Sequence, residues 1–294
     1  MYGTATHQPI RLAISGRSAR GVGPASRVAV HRSFELLELA VVFIVPVLLL
    51  LGLTVLFRHS NGDVAICRLF YGGGELGWPG LYSQPWDWLY HYGTYPGLIM
   101  GFGGAVVALA SYVWSSLRPW REMGFFLTLL LALGPGLVIN GVFKPQWGRP
   151  RPQQIKDFGG LEDYVGVWSL GSGGIHKSFP CGHASMGFYL MAPAFLLYRR
   201  RPRWALVFLA LGITGGGILG LGRVVQGKHF PSDVVWSGGL VYVCGLFLAY
   251  AFHWASHVTT RETVEEPEPV ILSIESARSD AARSHERQTR RRAA

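Results

Sequence analysis

Acidic residues are in short supply. Seventeen Asp and Glu stand against 27 Lys and Arg in 294 residues, and only 15% of the chain is charged. With 49% hydrophobic residues and a mean hydropathy of +0.26, that is too little charge for an ordinary soluble domain. The net charge of +10 points to an anionic partner. No nucleic-acid recognition motif accompanies it, and the arginines sit beside apolar runs, so the expected partner is a membrane surface and not a nucleic acid. Cysteine is scarce too. Cys67, Cys181 and Cys244 have no zinc-like spacing. Cys244 lies inside an apolar run and reads as a small packing residue, while Cys67 and Cys181 fall on one side of the layout below, which leaves a disulfide between them open.

What the sequence has is long apolar runs. The first, Leu39 to Phe57, exceeds a signal-peptide core and lacks a small-residue cleavage site after it, so it is read as a membrane helix. Further runs cover 96–114, 123–143, 184–198, 204–222 and 234–254. Most reach the ~20 residues a crossing needs; the fourth does so only if it starts at Pro180 or Cys181. Pro135 and the glycines of the fifth run suit close helix packing in lipid. The expected fold is an all-α integral membrane bundle of six helices. The domain layout is a disordered basic tail at 1–33, a membrane domain at 34–257 and a disordered charged tail at 258–294. Segments alternate to place 18 Lys and Arg on one side and nine on the other. The richer side is cytoplasmic by the positive-inside rule, which puts both termini inside. The outer segment 58–94, rich in Trp and Tyr, is read as an interfacial aromatic belt, with a lid over acyl chains as the alternative.

Three polar stretches face outward together. Lys144-Pro-Gln-Trp-Gly-Arg149-Pro-Arg151-Pro152 is kept from helix by Pro and Gly and gathers three cations where positive charge is otherwise rare. The bland alternative is a loop facing anionic headgroups. In Lys177-Ser-Phe-Pro-Cys181-Gly182-His183, amides around Gly182 at a helix start suit an anion, and His183 suits a general acid. In Gly222-Arg223-x5-His229-x3-Asp233, Arg223 matches a phosphate with its fork of donors. His229 can serve as base or nucleophile, with Asp233 one helical turn on to orient its ring.

These residues resemble the type 2 phosphatidic acid phosphatase family, whose signature is K-x6-R-P, P-S-G-H and S-R-x5-H-x3-D. The chain reads Lys144-x6-Arg151-Pro152, Pro180-Cys181-Gly182-His183 and Gly222-Arg223-x5-His229-x3-Asp233. The resemblance covers roughly residues 95–254. It departs at Cys181 and Gly222, where the family has serine; a thiol is the weaker donor. Cys181 as a cysteine-phosphatase nucleophile is excluded by Gly187, which stands where that chemistry needs arginine.

The resemblance implies a membrane lipid phosphatase, without metal or cofactor, on the outer face of the cytoplasmic (inner) membrane. His229 forms a phosphohistidine, Asp233 orients it, and His183 protonates the leaving oxygen. Lys144, Arg151, Arg223, Cys181 and the Gly182 amides hold the phosphoryl oxygens. Arg149 is a local addition, expected to grip a second phosphate or a sugar. The substrate is a lipid phosphate or pyrophosphate, with lipid A or undecaprenyl pyrophosphate in view; the runs at 147–152 and 227–234 look most like the lipid A branch. A phosphotransferase using the same phosphohistidine and a non-enzymatic transporter are the alternatives. No feature sets an oligomeric state.

Overall fold

The computed structural model describes residues 24–171, 175–264 and 283, with side chains described over 41–171, 175–253 and 283. Among the described residues ten α-helices run in order: α1 Pro24–Ser60, α2 Gly62–Arg68, α3 Trp86–Tyr92, α4 Tyr95–Ala110, α5 Arg121–Leu131, α6 Lys144–Trp147, α7 Gly182–Phe188, α8 Ala192–Leu197, α9 Pro202–Val225 and α10 Pro231–Val264. No strand occurs among the described residues, only isolated bridges at Gly73–Gly77 and Ile155–Glu162. The all-α expectation holds.

The tails begin differently from the expected layout. Residues 24–33 already belong to α1 and 258–264 continue α10, since Ala, Arg, Glu and Val there propagate a helix already nucleated in the apolar run. Residues 1–23, 265–282 and 284–294 of the expected tails lie outside the described residues. By contact the chain divides into Met1–Leu49, which carries the first part of α1, and Leu50–Ala294, which carries the remaining elements.

Five helical stretches are long and apolar enough to cross a membrane: 41–60, 86–110, 115–154, 202–225 and 231–253. The expected sixth is not among them. Its helix runs as α7, a tight turn at Tyr189–Met191, and α8, sixteen residues in all. Pro193 explains the break: it has no N–H to give Tyr189, and its ring crowds the carbonyl there. The third run is continuous but widened. Residues Ala132–Phe143 form a π-helix around Pro135, and Asn140 Nδ2 donates to the Pro135 carbonyl at 2.7 Å. The wider turn places Asn140 Oδ1 3.4 Å from Lys144 Nζ.

Outer helix faces are apolar and exposed, with Ile99, Phe102 and Val106 on α4 and Leu206, Ile213 and Ile218 on α9. Such surface fits a hydrocarbon solvent. One inner cluster joins Phe126, Leu130, Ile139, Tyr189 and Val241. Tyr189 is buried there and its hydroxyl donates to the Leu127 carbonyl at 2.6 Å. α7 and α9 meet backbone to backbone: a Cβ on Gly187 would lie 2.5 Å from the main chain of Gly215. Small residues permit this approach, and it sets the α7 start against the α9 end. Gly187→Val is therefore expected to destabilise the detergent-solubilised protein by roughly 1–3 kcal/mol of overpacking, read as a lowered Tm; an unchanged Tm would contradict this contact.

Candidate active site

The end of α9 decides where the histidine goes. Gly227 adopts φ +65°, a left-handed conformation that costs glycine little. Gly227 N–H donates to Val224 O at 2.9 Å and Lys228 N–H to Arg223 O at 3.0 Å, the paired bonds of a Schellman end. The Trp78 ring also lies where a Cβ at Gly227 would stand. The chain reverses, and His229 N–H comes back onto the Arg223 carbonyl at 3.3 Å. Residues six apart in sequence thus become neighbours.

Pro231 then opens α10, where a missing N–H costs nothing. Asp233 donates its N–H to Phe230 O at 3.0 Å and accepts the Phe230 N–H on Oδ2 at 2.9 Å, reciprocal bonds of the capping-box kind. The same Oδ2 accepts from Ser178 Oγ at 2.7 Å and lies 3.5 Å from His229 Nδ1. That last separation is long for a hydrogen bond, but Nδ1 is buried with no other partner. Catalytic hydrogen bonds commonly tighten only as the reaction proceeds. His229 itself is 2% exposed.

Main-chain bonds draw the three polar stretches together. Ser178 N–H donates to Arg149 O at 3.0 Å and Gln153 N–H to Gly227 O at 3.1 Å. Cys181 N–H donates to Ser237 Oγ at 2.8 Å. Lys144 Nζ stands beside Gly182, 3.1 Å from where a Cβ would be. Arg223 is buried, offers Nη1 to Gln226 Oε1, and keeps Nε without a partner.

Electrostatics register the same convergence. Burial first, then Arg223 and Lys144, hold His183 down at about 4, against a hydrogen bond the ring donates to the Tyr90 main-chain carbonyl; Arg151 pushes the same way as the other cations. Burial also holds His229 at about 4 despite Asp233, with Lys144 and Arg223 adding to the depression. Both rings are therefore neutral at pH 7. Lys228, a cation given no role in the sequence analysis, is lowered by burial and then by Arg151 and Arg223. Lys144 and Arg223 thus act on both histidines, and Arg151 acts on His183 and on Lys228, a concentration of positive charge that suits a multiply charged anion. Among the described residues no group of three His, Cys, Asp or Glu is gathered to hold a metal ion.

Arg149 departs from its expected role. It is 0% exposed, and all five of its N–H directions are taken. Nε donates to Val165 O at 2.7 Å, Nη1 to Ser232 Oγ at 2.9 Å and Asp233 Oδ1 at 2.5 Å, and Nη2 to Asp63 Oδ2 at 2.8 Å and Tyr164 Oη at 3.2 Å. Nothing is left for a second phosphate or a sugar. Cys181 differs as well. It is 0% exposed, packed with Phe230, Val224 and Cys67, so its thiol offers a substrate no open surface. Burial pushes that thiol up to about 11, leaving it protonated. Cys67 and Cys181 are both free thiols.

The aromatic segment is not simply a belt. Trp78 covers Gly227, Gly80 abuts Val225, and Trp86 lies 3.3 Å from where a Cβ on Gly222 would project. Glycine at 222, in place of the family's serine, thus leaves the Trp86 ring its room. Tyr90 stacks on His183 with centroids 5.0 Å apart, and the Arg223 guanidinium lies 4.5 Å over the Tyr90 ring. Trp88, Tyr92 and Tyr95 remain exposed. The segment is both site wall and outer surface. Sequence reasoning missed Asp63, Tyr90 and Ser178; only Ser178, inside a quoted motif, carried a local signal.

The PAP2 superfamily matches residues 125–258. The lipid A 4'-phosphatase of Francisella tularensis subsp. novicida is 45% identical over 125 residues, 42% of this chain and 55% of that protein. The lipid A 1-phosphatase of Rhizobium etli is 32% identical over 117 residues, 40% of this chain and 44% of that protein. The chain thus spans about half the length of these curated relatives. A solved transmembrane PAP2 type phosphatidylglycerolphosphate phosphatase from Bacillus subtilis aligns over 76% of this chain and 98% of its own, at 19% identity and a TM-score of 0.35.

The neutral state of both rings is directly measurable. Carbon-13 NMR of histidine-labelled protein is expected to show His183 and His229 titrating near 4, well below a free imidazole at about 6.5. Midpoints above 6 would contradict a buried, cation-lined site.

Proposed function

We propose, for a chain whose residues 125–258 match the PAP2 superfamily, a membrane lipid phosphatase that removes a phosphate from lipid A. The observation that carries this reading is the buried His229–Asp233 pair in the field of Lys144 and Arg223. The relatives named as lipid A phosphatases support the substrate class, and the 45% identity to a 4'-phosphatase favours that position of cleavage.

In this reading Nε2 of neutral His229 attacks phosphorus, and the N–P bond forms as the P–O bond to the lipid breaks. The electron pair leaves on the lipid oxygen, which takes a proton from His183. His183 is neutral in the free site; an arriving phosphate dianion offsets the repulsion of its cations, so the ring takes up a proton from solvent as substrate binds, and that is the proton it gives to the lipid oxygen. Asp233 steadies the charge that develops on His229, while Lys144, Arg151, Arg223 and the Gly182 amides hold the equatorial oxygens. Water then attacks phosphorus, the N–P bond electrons return to His229, and His183 takes the water proton. Tyr90 keeps His183 and Arg223 in register.

The location proposed is the outer face of the inner membrane, with both termini inside. The charge asymmetry supports this, and so does the chain path. α9 spans 24 residues, about 36 Å, from Pro202 to the site. His183 is at the same end as Arg223, which supports reading the short α7–α8 segment as the return pass.

Purified protein should release phosphate from lipid A in preference to undecaprenyl pyrophosphate, phosphatidate and phosphatidylglycerophosphate. His229→Ala should lower kcat by at least about 10³-fold, as loss of a nucleophile does. Equal release by the variant would sink the proposal.

A further inference from the structure

We propose that Asp63 is a positioning residue for His229, acting through Arg149 and Asp233; the inference rests on the reading of His229 as nucleophile. Asp63 lies on α2, 62 positions before the superfamily match begins. It is 1% exposed. An isolated buried carboxylate is expensive, so its partners show what it is for.

Those partners are three residues, Ser232, Tyr164 and Arg149. Oδ1 accepts the Ser232 N–H at 2.9 Å, and Oδ2 accepts Ser232 Oγ at 2.5 Å and Tyr164 Oη at 2.9 Å. Oδ2 also meets Arg149 Nη2 at 2.8 Å, while Nη1 of the same guanidinium reaches Asp233 Oδ1. Asp63 thus grips the backbone of residue 232 directly and the carboxylate of residue 233 through a rigid planar cation.

The arrangement has an electrostatic consequence. One arginine lies between two carboxylates, so each takes only part of its positive charge. Asp233 keeps negative charge for His229 Nδ1, its nearest unpartnered donor. Without the charge on Asp63, Arg149 would bear on Asp233 alone. Its hold on the Nδ1–H form of His229 would loosen, and Nε2 would no longer be reliably free to attack.

The test uses full-length, nitrogen-15 histidine-labelled protein at pH 7, comparing wild type with Asp63→Asn. Wild type is expected to hold His229 as the Nδ1–H tautomer. The variant should show a mixture of tautomers, with kcat on lipid A down about tenfold or more and KM little changed, since Asp63 touches no substrate. Should Asp63→Asn fail to fold, Tyr164→Phe removes one hydrogen bond to each of Asp63 and Arg149 and keeps both charges; the same shifts should appear, smaller. An unchanged tautomer and kcat in a folded variant would overturn the proposal, as would a raised KM with kcat intact. Failure of wild type to release phosphate from lipid A would remove the substrate reading alone; the tautomer measurement would still decide the role of Asp63.

Discussion

The buried ion pair between Arg149 and Asp233 is the constraint from which the site follows. Both groups are 0% exposed, and removing one partner of such a pair typically costs about 3–5 kcal/mol. The fold meets that risk by converging on it. α2 supplies Asp63, the 161–178 segment supplies Val165, Tyr164 and Ser178, and α10 supplies Ser232 and Asp233. With Asp233 held on both oxygens, His229 one turn away has a fixed neighbour, and the Schellman end of α9 sets it over Arg223.

Arginine plays opposite parts at Arg149 and Arg223. Arg149 is saturated by two carboxylates and its hydrogen bonds, and so belongs to the scaffold. Among the described residues, Arg223 offers Nη1 to the neutral Gln226 oxygen and lies over the face of Tyr90, and its buried Nε has no partner. A cation left short of acceptors in a buried cleft is one that an anion can complete. Arg151 repels both Lys144 and Lys228 there, which stores an attraction for multiply charged phosphate. The scaffold that tolerates this is conventional lipid-facing helix, apolar outside and small-residue packed inside.

Much of this was legible in order and spacing. The apolar runs marked the helices, and the three motifs named His183, His229, Asp233, Lys144, Arg151 and Arg223, which the structure brings to one place. What was not legible depended on distance in sequence. Asp63 and Arg149 are 86 residues apart, and nothing near either shows that they will meet. Arg149 read as a substrate ligand because it looks like Arg151, and only its burial separates them. Pro193 hid inside an acceptable apolar run, since hydropathy does not register a missing N–H. Tyr90 looked like one interfacial aromatic among several until α3 docked along α9.

The account stands or falls on a phosphorylated His229. Rapid quench of the enzyme with lipid A labelled on phosphate, followed by peptide mapping, should find acid-labile, alkali-stable label on the peptide carrying His229. Absence of label there under burst conditions, or its appearance on Cys181 or another residue, would contradict the central claim.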